Sequence, residues 1–149
     1  MGNPITQLEQ ITLNTKSKSF LKEISRWTFF FAILGFISIA FLLIGAILIG
    51  TLYAPMINMF AGQQGLPSIG LSLAIIYFMS ALLYVFPVWY LFKFSRKMKL
   101  ALATKNDETL TEAFEMLKSH FKFIGVLTII LISLYLLLIV FSLVAGSLI

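Results

Sequence analysis

The charged residues of this 149-residue chain are confined to two stretches. No Asp, Glu, Lys, Arg or His occurs between Trp27 and Phe92, and none occurs from Phe123 to Ile149. A surface in contact with water accepts charge anywhere, whereas the hydrocarbon core of a bilayer does not. This segregation predicts an all-α membrane protein.

The composition supports the same prediction. The chain is 60% hydrophobic and 11% charged, with a mean hydropathy of +0.99, whereas a soluble domain is about a quarter charged. The absence of cysteine excludes disulfides and thiolate metal sites. The net charge of +5 lies beside the apolar runs, where positive residues hold loops at a membrane face, so it predicts a lipid bilayer and no nucleic acid as the neighbour.

The apolar runs predict three transmembrane helices, at about 27–51, 69–92 and 123–148. Each run supplies the roughly 20 residues that a bilayer core requires. Between the first two lies an uncharged loop at 52–68, whose apolar middle could dip into the interface. Residues 27–149 are therefore expected to form one membrane domain.

The distribution of lysine and arginine predicts the orientation. These residues precede the first span and lie between the second and third, and the 52–68 loop has none. The positive-inside rule then places 1–26 and 93–122 in the cytoplasm, and the 52–68 loop and the C-terminus outside. Trp27 and Trp89 fall at the inner span ends, where amphipathic rings favour the headgroup level.

The N-terminal segment, 1–26, ends in an amphipathic pattern. Phe20, Leu21 and Ile24 recur at helical spacing. One interpretation is a short amphipathic helix that lies on the membrane face. The alternative is a helical extension of the first span.

The segment 93–122 is predicted to be a helical hairpin that extends the second and third spans into the cytoplasm. Apolar residues recur at helical spacing on both sides of a turn at 105–107. Thr109 and Glu112 fit a capping box at the start of the second helix. The alternative is two short helices lying flat on the membrane.

The hairpin prediction specifies contacts. A turn centred on Asn106 places Met98 opposite Phe114 and Leu102 opposite Leu110. It also places Lys97 near Glu115 on the exposed flank. The positions predicted to seal the inside of the hairpin are Met98, Leu102, Leu110, Phe114 and Leu117.

Small and polar residues follow one face of each predicted span, as in helices that pack closely in lipid. The candidate packing positions are Gly35, Ser38 and Gly45 in the first span, Gly70, Ala74, Tyr77, Ala81 and Tyr84 in the second, and Gly125, Thr128, Tyr135 and Ser142 in the third. The functional alternative is a pocket or pore lined by the three tyrosines among them.

Residue types that carry chemistry are scarce. No ionisable side chain lies within a span, and three spans show no repeat, which argues against a transporter. His120 has no second histidine or cysteine to complete a metal site and is interpreted as solvated or interfacial. No cofactor, metal or small-molecule substrate is predicted. The hairpin carboxylates fit a salt-bridged, solvated face: Asp107, Glu108, Glu112 and Glu115.

One stretch resembles a known family. It reads Leu100-Ala101-Leu102-Ala103, Asn106-Asp107-Glu108, Leu110, Ala113-Phe114, Leu117-Lys118, Phe121-Lys122 and Gly125-Val126-Leu127. This pattern is similar to that of a family of small bacterial multi-pass membrane proteins of unknown function, over the second span through the third. The resemblance implies a bacterial cytoplasmic membrane and brings no catalytic or binding residues.

The sequence therefore predicts a non-enzymatic membrane protein that acts through helix–helix contacts. Its expected partner is another membrane protein or a second copy of itself, so that it serves as an accessory subunit or a homo-oligomer. The alternative is a small oligomeric channel or transport component. A third hypothesis, a membrane enzyme, would use His120 and the hairpin carboxylates.

Overall fold

The computed structural model describes residues 13–61 and 69–147, and nearly all of these are helical. The elements are α1 (Thr15–Leu48), a π-helical segment (Ile49–Tyr53), α2 (Ala54–Ala61), α3 (Ile69–Thr104) and α4 (Asp107–Ser147). Three helical stretches among the described residues are long and apolar enough to cross a membrane. The all-helical fold with three membrane-length helices agrees with the sequence prediction.

Helix α1 begins well before the first span. The Oδ1 atom of Asn14 accepts a hydrogen bond from the backbone N–H of Ser17 at 2.7 Å, which is an N-cap. The helix then runs unbroken from Thr15 to Leu48. The amphipathic pattern before Trp27 therefore belongs to a helical extension of the span and not to a separate helix.

The helix also continues beyond the predicted end of the first span. The loop predicted at 52–68 is wrong as far as Ala61, because a π-helical turn leads directly into α2. The N–H of Ala54 bonds to the carbonyl of Ile49, five residues earlier. Since Pro55 has no N–H to donate, a wider turn just before it lets the helix continue. The rest of that loop, residues 62–68, lies outside the described residues.

A seam of small residues joins α1 to α3. The buried side chains repeat at every seventh residue on both helices: Ser25, Ala32, Ile39 and Ala46 on α1, and Ala74, Ala81, Val88 and Ser95 on α3. A seven-residue repeat keeps one face of each helix turned toward its neighbour. Small side chains on that face let the two backbones approach closely.

A two-residue turn joins α3 to α4. Lys105 has a φ of 54°, in the left-handed region, and the N–H of Asn106 bonds to the carbonyl of Ala101 at 3.3 Å. This is the Schellman arrangement that ends many helices. The Oδ1 atom of Asn106 also accepts the N–H of Thr109 at 3.1 Å. The predicted capping box is therefore wrong: Asn106 is the cap, and Glu112 has another partner.

The hairpin exists as one antiparallel pair of helices, but its register differs from the prediction. A buried cluster of Phe94, Met98 and Ala113 forms its inside, packed by Leu21, Leu102, Leu110, Met116 and Leu117. Phe114 is 44% exposed and lies outside this cluster. Lys97 pairs with Glu112, with 2.6 Å between Nζ and Oε2, and not with Glu115. Because successive helical residues are rotated by about 100°, a face centred on Ala113 turns Phe114 outward.

Candidate functional site

The predicted packing positions fall into two groups, and the first lies in the seam. A Cβ added at Gly35 would lie 2.6 Å from Cγ2 of Val88, and one at Gly45 would lie 3.4 Å from the ring of Tyr77. A Cβ at Gly70 would overlap Ala54 at the start of α2. Ala74 and Ala81 are buried between α1 and α3. Ser38 is exposed, and its hydroxyl bonds back to the carbonyl of Leu34.

The seam also contains a polar contact that the sequence prediction missed. The hydroxyl of Ser95 donates to the backbone carbonyl of Ser25 at 2.7 Å, and the hydroxyl of Ser25 donates to the carbonyl of Lys22 at 2.8 Å. Both serines are fully buried. The signal that could have found them is the seven-residue repeat, which continues one step beyond Ala32 to Ser25.

His120 lies at the junction of α3 and α4. Its side chain is buried, and its Nδ1 lies 2.9 Å from the carbonyl oxygen of Pro87. A carbonyl only accepts, so Nδ1 carries the proton and donates. The interpretation of His120 as solvated is therefore wrong, and its role here is to fasten α4 to α3. Within the described ranges, no three His, Asp or Glu side chains lie close enough together to hold a metal ion.

The contact between α3 and α4 extends just past this junction, where the ring centres of Phe86 and Phe123 lie 5.8 Å apart. Every residue from Thr128 to Val144 is exposed. A Cβ added at Gly125 would meet no atom within 4 Å. In the described ranges α4 packs against α3 alone among the helices. An open cleft of about 420 Å³ runs along the α3–α4 contact on both sides of the junction, from Tyr90 and Ser119 to Leu83 and Ile130.

The third-span packing positions therefore have no partner within the described chain. We call this set the α4 outer face: Gly125, Thr128, Tyr135 and Ser142. The side chain of Tyr135 is 66% exposed, and the described residues offer its hydroxyl no hydrogen bond. The hydroxyls of Thr128 and Ser142 also lack a hydrogen bond to any described residue. Tyr84 on α3 is likewise 55% exposed, so the three tyrosines do not line a common pocket.

The sequence of the chain matches one protein family over about half of its length. A family of unknown function, DUF5362, matches residues 68–143, which is just over half of the chain. The chain belongs to this family. The DUF5362 region contains α3, the turn and most of α4, and it confirms the resemblance to a family of unknown function noted in the sequence. Comparisons with curated proteins and with solved structures gave no match.

Proposed function

We propose that this protein is a non-enzymatic membrane protein that acts through helix–helix contacts, with the α4 outer face as its contact surface. It would work as an accessory subunit or as a homo-oligomer. The contrast between a closed seam and an open last span supports this proposal. In the described residues, α1 and α3 bury their small residues against each other, while the small and polar residues of α4 face outward.

The main support for the proposal is the hydroxyl of Tyr135, which has no hydrogen bond to the described residues. Tyr135 lies 12 residues beyond Phe123, where the charge-free run begins, and therefore about 18 Å into the span. That depth is near the middle of a hydrocarbon core of about 30 Å. A hydroxyl left without a hydrogen bond there costs free energy, of the order of 2 kcal/mol or more. A neighbouring helix that bonds this hydroxyl would remove the cost.

The absence of an enzymatic role is part of the proposal. Two of the side chains that the enzyme hypothesis would use are engaged in structural contacts, because His120 is buried against Pro87 and Glu112 pairs with Lys97. Glu112→Gln and Glu115→Gln are expected to leave any cellular phenotype of the protein intact at normal membrane levels. Loss of function with normal assembly would instead support the enzyme hypothesis.

The decisive experiment is a mass measurement on the protein purified in mild detergent. A second, different chain that co-purifies supports the accessory subunit, and a dimer or small oligomer supports self-association. A closed ring with a conducting path supports the channel alternative. A clean monomer at all protein concentrations contradicts the proposal.

Matched variants locate the contact surface. Tyr135→Phe removes only the hydroxyl and is expected to weaken association by about 0.6 kcal/mol, a factor of about three, since interhelical hydrogen bonds in membranes have roughly that strength. Gly125→Leu is expected to weaken association more, because it blocks close approach. Leu137→Ala is the control, since Leu137 is 65% exposed on the opposite side of α4. Energy transfer between labelled copies in bilayers measures all three; an equal effect of Leu137→Ala would refute the assignment of this face.

The orientation is a separate part of the proposal. We place residues 1–26 and 93–122 in the cytoplasm of a bacterium. The two ends of segment 27–92 then lie at the inner face of its cytoplasmic membrane. The chain has no cysteine, so single cysteines at Gln63 and Lys105 report cleanly. An impermeant thiol reagent on intact cells is expected to label position 63 and not position 105. The reverse pattern would overturn the orientation and leave the contact surface unaffected.

A further inference from the structure

An open groove lies between α1 and α3 where the charged part of α3 begins. Its volume is about 620 Å³, and its lining consists of Phe29, Phe92, Arg96, Lys97, Lys99 and Leu100. None of these residues belongs to the α4 outer face. The groove combines a basic mouth with an aromatic floor.

The basic mouth carries two positive charges that no described carboxylate neutralises. The guanidinium carbon of Arg96 lies 5.7 Å from the centre of the Phe92 ring, and the Nζ atom of Lys99 lies 4.3 Å from the centre of the Phe29 ring. Both cations are exposed. The one ion pair within residues 13–61 and 69–147 takes up Lys97, which Glu112 neutralises. Arg96 and Lys99 are therefore free to bind an anion.

Phe29 and Phe92 form the aromatic floor of the groove, and Phe36 continues this row of rings beyond the groove lining, toward the middle of the span. The ring of Phe92 lies 5.9 Å from that of Phe29 and 5.8 Å from that of Phe36, centre to centre. Phe36 lies seven residues beyond Phe29 on α1, and therefore about 10 Å deeper. All three rings are half-buried. A ligand that fits this groove has an anionic head and an apolar body.

We propose that this groove binds an anionic phospholipid, with its phosphate between Arg96 and Lys99 and an acyl chain along Phe92 and Phe36. Basic pockets between membrane helices bind phosphate-bearing headgroups in this way. The continuous strip of rings favours a lipid over a soluble phosphate ester, which would leave the floor uncovered. This inference rests on the part of the proposed function that puts α1 and α3 across a bilayer, and it does not depend on the partner of α4 or on the orientation.

The test uses tryptophan as a local reporter. The chain has two tryptophans, so Trp27→Phe leaves Trp89, whose ring centre lies 6.3 Å from that of Phe92. The full chain is reconstituted in bilayers that mix phosphatidylglycerol with phosphatidylcholine, one of which carries brominated acyl chains that quench tryptophan. We expect Trp89 to be quenched preferentially by the brominated phosphatidylglycerol, with a selectivity of about thirtyfold, because two basic side chains at a membrane surface contribute about that much.

The variant Arg96→Gln/Lys99→Gln is expected to abolish this selectivity. The control is Lys118→Gln/Lys122→Gln, which removes the same charge from α4 and is expected to retain it. Equal loss in both variants would mean that only the overall positive charge matters, and it would overturn the site. If the first variant fails to fold, the lipid selectivity of the Trp27→Phe protein is measured again in 0.5 M salt. Because salt weakens exposed charge contacts, selectivity that persists unchanged would also overturn the proposal.

Two further arms distinguish the alternatives. Water-soluble glycerol phosphate is expected not to compete; if it restores Trp89 fluorescence, the groove takes a free phosphate ester and the lipid assignment is wrong. Energy transfer between labelled Arg96→Gln/Lys99→Gln copies is expected to be unchanged. Lost lipid selectivity with intact association therefore separates this inference from the contact role of α4.

Discussion

The pair formed by α1 and α3 and the outer half of α4 both carry small residues along one helical face, but they use them in opposite ways. In the pair, Gly35 lies directly under Val88, and Ser95 reaches across to the backbone of Ser25. In α4, a Cβ added at Gly125 would lie in open space, and Tyr135 is exposed. The same residue types thus close one interface and leave another available.

A stripe of small residues on a helix therefore does not by itself identify the helix that packs against it. In lipid, small side chains favour close helix packing but do not specify which helix approaches. In this protein, the turn that connects α3 to α4 and the length of the paired region determine which part of α4 has a partner within the chain. The hairpin holds α4 to α3 as far as the contact between the rings of Phe86 and Phe123, and from Thr128 to Val144 every residue of α4 is exposed.

The largest effect is expected in the buried cluster of the hairpin. Met98 is fully buried in the hairpin cluster, whereas Phe114 is 44% exposed. Met98→Ala is expected to lower the free energy of unfolding by about 2–5 kcal/mol, since it leaves a cavity. Phe114→Ala, although it removes a larger side chain, is expected to cost less than Met98→Ala. Unfolding titrations in SDS, followed by circular dichroism, measure both. If Phe114→Ala costs as much as Met98→Ala, the described register is wrong.

A pair of glycine substitutions tests the comparison itself. Gly35→Leu forces a large side chain against Val88 and is expected to destabilise the fold by about 1–3 kcal/mol, as overpacking does. Gly125→Leu is expected to leave the fold stability of the monomer unchanged, because its Cβ position is open. The same SDS titration at dilute protein reports both. Equal destabilisation would show that the outer half of α4 packs on its own chain.

A pair of serines gives a smaller contrast. Ser95→Ala removes the hydrogen bond to Ser25 and is expected to cost about 0.6–1.5 kcal/mol. Ser142→Ala removes a hydroxyl that has no hydrogen bond to the described residues and is expected to be neutral in the monomer. Hydrogen exchange at the amides around Ser25 provides a local measurement. Protection that is unaffected by Ser95→Ala would mean that this bond does not hold α1 to α3.

The smallest effect is expected at the exposed flank of the hairpin. The ion pair between Lys97 and Glu112 is partly exposed, and such pairs contribute about 0–1 kcal/mol. Glu112→Gln should therefore lower stability by less than 1 kcal/mol at low salt, as expected for pairs of this class, and the difference should shrink at high salt. Glu115→Gln is the matched control and is expected to have no effect. A larger loss from Glu115→Gln would favour the originally predicted pairing.

Some of the structural features behind these predictions can be predicted from the sequence, and others cannot. Charge segregation was enough to predict three membrane-length helices, because the cost of burying charge in lipid is large. The hairpin was predicted from the helical spacing of apolar residues on both sides of its turn. The seam on α3 was partly predicted through Ala74 and Ala81. On α1 the buried positions are Ser25, Ala32, Ile39 and Ala46, which lie on the face beside the predicted one. The sequence does not distinguish these two faces, because both carry small residues. No pattern of residue types distinguishes two such faces until the partner helix is known.

The hairpin register was wrong for a related reason. It was deduced from a turn centred on Asn106, whereas Lys105 takes the left-handed position and α4 starts at once with Asp107. Lysine carries no signal for that backbone conformation, which glycine or asparagine usually adopts. The π-helical turn before Pro55 was missed because proline normally predicts the end of a helix.

The unbroken course of α4 has a mechanical consequence. Its 41 residues span about 60 Å, roughly twice the thickness of a hydrocarbon core. One stiff rod thus carries Glu112 at one end and Tyr135 toward the other, with no hinge within the described helix to absorb a twist. Torque applied to the hairpin in water would be delivered as rotation in the bilayer, so turning the tip by one residue would point Tyr135 about 100° away from its former neighbour.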